Sequence, residues 1–164
     1  MACRGVYFAL IQHDVDRLRA QPSDAKRLEI IQEEIEAAWD EEWLCEVDKA
    51  WDAIHRCLTD GSLNPRAGSA PLNLCVLGGE SIHAADDYLM HLLRPAEARE
   101  VADAIAPWDE AKLRAGYARI SERDYGVSKS EDDFRYTWDW FSAVQQFFRK
   151  AADGGRWVLF TVDQ

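Results

Sequence analysis

No stretch of this 164-residue chain approaches the roughly 18 to 20 consecutive apolar residues that a membrane-spanning helix requires. The opening MACRGVYFALIQHD holds too short an apolar run for a secretory signal, so no membrane association and a cytoplasmic location are expected. The four cysteines, Cys3, Cys45, Cys57 and Cys75, include no Cys-x-x-Cys pair and no Cys/His spacing of the kind a structural zinc site uses. Reduced, partly buried thiols in a reducing compartment are therefore the expectation, with no metal and no cofactor. Internal repeats and low-complexity tracts are also missing, and NPRAGSAP, residues 64–71, is the longest loop-like segment but too short to link independent domains. A single domain over residues 1–164 follows.

Basic residues are absent where acids are dense. From Glu29 to Asp48 there are nine acidic residues and no lysine or arginine, so most of the net charge of −11 sits in that segment, and the rest of the chain carries 21 acids against 19 bases. Phosphates would meet net repulsion and only scattered cations, which excludes a nucleic-acid partner. Leu28, Ile31, Ile35 and Trp39 recur at spacings of three and four, an apolar stripe on one side of a helix with most carboxylates on the other. The simplest account of the outer face is solvation. Glu33, Glu34 and Glu41 also make it a candidate docking surface for a basic protein partner.

What is present points to a folded α+β domain. Hydrophobic residues are 48% of the chain, with seven tryptophans. Gly5 to Ile11 reads as a first strand, followed by a short helix from Asp14 to about Ala20. Pro22-Ser23-Asp24 then breaks the chain and supplies the cap of the acidic helix, which is expected to fray near Leu44. Asp48 is placed to cap a helix running to about Leu58. LNLCVLGGESI fits either a short helix or a buried strand, and its Gly78-Gly79 fits a tight turn. Tyr88 to Leu93 reads as a strand, Pro95 to Ile105 and Asp109 to Gly116 as helices. Ser130 and Asp133 form a capping pair for the last helix, which turns Phe134, Trp138, Phe141, Val144 and Phe148 inward, and WVLFTV, 157–162, is the final strand. N-terminal, middle and C-terminal strands would then form a small sheet packed on one side by several helices, with the two terminal strands as neighbours.

The order of GVYFALI, KAWDAIHRCLTDG, LCVLGGESI, RPAEAREVADAIAPWDEAKLRAGY and the closing aromatic helix with GRWVLFTV resembles the YfbM-like family of small bacterial proteins. That family is a domain of unknown function, so the resemblance implies an α+β fold and a bacterial cytosolic setting, and no activity.

His55 is the residue most open to two readings. It shares a helical face with Trp51 and Ile54, and Asp52 lies within reach along the helix edge. As structure it needs only hydrogen-bond partners; as a general base it would need a cleft that joins it to Glu80 or Ser81. His83, Asp87 and His91 would suit a metal on a helix, but the strand reading of Tyr88 to Leu93 destroys that geometry. The tryptophans, Trp138 and Trp140 among them, read as core and rim packing, with a cluster around His55 able to line a pocket. The expectation is a non-catalytic binding or interaction module that uses the acidic helix or a pocket at Trp51, His55, Glu80 and Trp138. No residue is assigned a catalytic role. The alternative is a small hydrolase or transferase with His55 as base.

Overall fold

The computed structural model describes residues 3–84 and 88–163. Among the described residues, five strands form one antiparallel sheet of order β2-β1-β5-β4-β3: β1 Gly5–Leu10, β2 Leu44–Asp48, β3 Glu80–Ser81, β4 Tyr88–Leu93 and β5 Trp157–Asp163. The terminal strands are neighbours as expected, with Gly5 opposite Val162 and Leu10 opposite Trp157. Seven helices accompany the sheet: α1 Gln12–Arg19, α2 Asp24–Ile30, α3 Ala50–Leu58, α4 Pro95–Ile105, α5 Glu110–Ala118, α6 Glu122–Tyr125 and α7 Glu131–Asp153.

The sheet is covered on both faces, not one. All six residues of β1 are buried, which a strand with one wet face would not allow. Tyr7 and Ala9 join Val158, Phe160 and the inner faces of α3, α4, α5 and α7 in the larger core, while Val6, Phe8 and Leu10 pack with Met90, Leu92, Val15, Leu18 and Ile31 beneath α1 and α2. The short α6 and the strand β2 were not expected from sequence.

Three corrections concern the acidic segment. Ser23 caps α2 by accepting from the Lys26 N–H at 3.3 Å, as read, but the helix continues through a π-helical turn, Ile31–Glu36, and gives way before Trp39 (φ +43°). A π turn holds one more residue than an α turn, so the apolar stripe loses register after Ile31. Ile31 is fully buried and Ile35 half-buried, yet Trp39 is 37% exposed. Glu36 turns inward in its place and accepts from the hydroxyls of Tyr88 and Thr161. Leu44 to Asp48, expected to follow a fraying helix, pairs with β1 as an edge strand. Asp48 does not cap α3 with its side chain; Lys49 occupies the cap position and the Asp48 carboxylate accepts from the Tyr136 hydroxyl at 2.7 Å.

The ambiguous LNLCVLGGESI resolves into a 3₁₀ turn at Leu72–Leu74, a reversal with Gly79 at φ +89°, and the two-residue edge strand β3. Phe134, Phe141, Val144 and Phe148 of α7 are buried as read, while Trp138 is half-buried against Phe141, ring centroids 6.1 Å apart.

Candidate functional site

The four residues nominated for a pocket share no described cleft. His55 lies inside the core at 1% exposure, its Nε2 3.1 Å from the Asn64 carbonyl oxygen and its Nδ1 buried without a partner. Asp52 does not reach it but takes Arg56 at 2.5 Å. Burial therefore holds the imidazole's pKa below its ordinary value, opposed by the Asn64 carbonyl and the nearby Asp52. His91 on β4, half-buried, is likewise depressed, first by burial and then by the charge of His55. Glu80 lies on β3, at the opposite edge of the sheet from β2, and pairs with Arg19 at 2.6 Å. No described cleft joins it to His55. Asp87 of the metal-ligand trio lies outside the described residues, and His91 is on a strand as read. Among the described residues no group of three or more histidines, cysteines or acids is arranged to hold a metal.

Trp51 does line a cleft, of about 320 Å³, with Asp52, Tyr125, Val127, Asp133 and Tyr136, and with Cys3 and Lys49. Its indole is fixed from below: Nε1–H donates to the Cys3 carbonyl at 3.0 Å and the ring leans on Phe160, centroids 6.2 Å apart. Gly5 leaves the room it needs, because a Cβ there would stand 2.8 Å from the indole Cδ1. α7 supplies Asp133 and Tyr136 from adjacent turns, and α6 supplies Tyr125.

Carboxylates hold the phenols in place. Asp133 accepts from Tyr117 at 2.5 Å and from Tyr125 at 3.4 Å, so it does not complete the capping pair with its side chain; only the Ser130 half forms, Oγ accepting from the Asp133 N–H at 3.1 Å. Tyr136 donates to Asp48 and accepts from the Lys49 N–H at 3.2 Å. Burial, then the bond to Asp48, pushes the Tyr136 hydroxyl up to about 12, and burial with the Asp133 charge pushes Tyr125 higher still. Both stay neutral donors across the physiological range. Asp48 and Asp133 accept from these phenols, whereas Asp52 pairs with buried Arg56, which also donates to the carbonyls of Gly61 and Asp124 and sits 5.7 Å above the Tyr125 ring.

In two other clefts the cations already have partners. In one, Arg19 meets Glu80 and Arg27 meets Asp24; in another, Arg149 meets Asp103 and Lys150 lies over Trp43. No thiol is poised for catalysis at the core: burial drives Cys45, Cys57 and Cys75 up to about 12. Sequence reasoning found Trp51 but missed Tyr125, Asp133 and Tyr136, and the only local signal was the Asp133/Tyr136 spacing of three on one helix face.

No curated protein matches the chain. Among solved structures, a protein of unknown function, YfbM from Escherichia coli, superposes with a TM-score of 0.64 at 21% identity, covering 97% of this chain and 99% of that one, which shows a shared α+β fold. With residues 1–161 matched by the family described as "Domain of unknown function (DUF1877)", the chain belongs to that YfbM-like family.

Proposed function

We propose that the protein is a binding module without turnover, and that its ligand enters the Trp51 cleft. The observation that carries this reading is the construction of the cleft: an indole and two phenols, each hydrogen-bonded so that it cannot rotate freely, flank carboxylates that have no catalytic partner. Rigid aromatic walls with a few fixed polar groups suit recognition. The alternative of a hydrolase or transferase with His55 as base is disfavoured by the burial of that side chain, since a general base must come within hydrogen-bond reach of the proton it takes.

A ¹⁵N-edited NMR screen with small fragments of mixed charge tests the reading. The Trp51 indole N–H and the amides of Asp52 and Tyr125 are expected to shift first. Shifts confined to the Arg19–Glu80 or Trp43–Lys150 clefts would overturn it.

A second reading rests on a different surface. Glu33, Glu34 and Glu41 are all exposed, and exposed Trp39 stands among them, which supports docking of a basic protein on this flank. Salt-sensitive capture of such a partner, weakened by neutralising these three residues, is its test.

A further inference from the structure

We propose that the Trp51 cleft takes an alkylammonium group, specifically the side chain of a lysine within a polypeptide. This rests on the reading of that cleft as the binding site and names its ligand class. Three observations converge on it. Trp51, 6% exposed, and the half-buried Tyr125 and Tyr136 line it, and a cation within about 6 Å of such a ring is attracted by its quadrupole, most strongly for tryptophan. The phenol protons are committed to Asp133 and Asp48, so the tyrosines offer the incoming group ring faces and oxygen lone pairs in preference to donors. Lys49, exposed, is the one cation in the lining. Asp133 lines the cleft half-buried and, among the described residues, its carboxylate accepts only from phenols, so no cation of the chain pairs with it.

The chain supplies its own precedent, since the Arg56 guanidinium sits over the Tyr125 ring. Among the described residues no cation sits over Trp51 or Tyr136. Lysine is favoured over arginine on geometry: a planar guanidinium seeks a bidentate carboxylate, but Asp133 has both oxygens engaged by phenols and Asp52 is engaged by Arg56, whereas an ammonium acts as a point charge with rotatable donors. A lysine inside a polypeptide is favoured over the free amino acid, because free lysine brings an α-carboxylate toward Asp52 and Asp133.

Titration of the ¹⁵N-labelled chain with Nα-acetyl-lysine methylamide, its neutral norleucine analogue, Nα-acetyl-arginine methylamide and free lysine, read at the Trp51 indole N–H, tests this. The blocked lysine is expected to bind in the millimolar range, as a single side chain does, and at least fivefold tighter than each of the other three. Equal binding of the norleucine analogue would overturn the ammonium assignment while leaving the cleft as a binding site. Equal or tighter binding of free lysine, or of the arginine probe, would overturn the peptide-lysine assignment. No shift with any of the four would overturn the inference outright, and the mixed-charge fragment screen then decides separately whether the cleft binds anything. Val127, 46% exposed at the cleft, provides a control that leaves the packing intact: Val127→Lys places a tethered ammonium there and should weaken the blocked lysine at least fivefold, and an unchanged affinity in the folded variant would count against the site.

Discussion

The Glu36 carboxylate accepts a hydrogen bond from the Tyr88 hydroxyl, and this bond ties the acidic helix to the middle of the sheet. It exists because the π-helical turn at Ile31–Glu36 rotates a glutamate, not an apolar residue, toward β4 and β5, where Thr161 also donates to it at 3.2 Å. Burial, and then the glutamate, push the Tyr88 hydroxyl far above its ordinary pKa, so it remains a donor throughout.

Tyr88→Phe should therefore lower stability by about 1 to 2 kcal/mol, the usual cost of removing one partner of a part-buried hydrogen bond to a charged group. Urea unfolding measures it. Glu36→Gln, which keeps an acceptor, should cost less than Glu36→Leu, and equal losses would show that the carboxylate serves only as packing.

Gly5→Ala should disturb the Trp51 cleft from beneath. The new methyl would lie 2.8 Å from the indole and 3.0 Å from the Phe160 ring, so the strand or the indole must shift. A loss of about 1 to 3 kcal/mol is expected from overpacking, together with a moved Trp51 indole resonance. An unmoved resonance would mean that Phe160 alone yields.

His55 and the half-buried His91 should make stability fall in mild acid. Burial lowers the folded pKa of His55 and His91 below the ordinary 6.5, so below that pH the unfolded chain binds more protons than the folded one. Their contribution is full above about pH 6.5 and is lost as pH falls through the folded values. Asp52 and Asp60 favour the charged form of His55 and Arg56 opposes it, while His55 opposes the charged form of His91. His55→Leu should cost about 1 kcal/mol at pH 8, through the Asn64 carbonyl left unpaired, and the gap to wild type should shrink by pH 5. Parallel denaturant curves at pH 5, 6.5 and 8 would contradict this.

Replacing Glu33, Glu34 and Glu41 together by glutamine should leave the melting temperature within a few degrees. Among the described residues the one ion pair removed, Glu34 with Arg17 at 2.5 Å, is exposed, and such pairs contribute little. A fall of ten degrees in a calorimetric scan would show that the acidic face is structural.

Much of the frame was legible because local signals agreed with the final packing. Trp157 to Val162 is a β-branched and aromatic run after Gly154-Gly155, and it forms β5. GVYFAL carried more information than a strand alone: its lack of polar alternation already implied cover on both faces. LCEVD alternates Cys45 and Val47 inward against Glu46 and Asp48, a strand signal masked by the acidic helical pattern just before it. The π turn was not legible, since what favours it lies on β4 and β5, over 50 residues away. The cleft was half legible. Trp51 stood out, but Tyr125 and Asp133 reach it only through the docking of α6 and α7, and His55 shares Trp51's helix while pointing into the interior.

The most direct test of the central claim is a crystal structure of the chain grown in Nα-acetyl-lysine methylamide. The account predicts the ammonium nitrogen within about 6 Å of the Trp51 or Tyr136 ring centroid, with Asp52 or Asp133 as its nearest carboxylate. An ammonium seated instead on Glu33, Glu34 and Glu41, or a cleft filled by the side chain of Lys49, would contradict it.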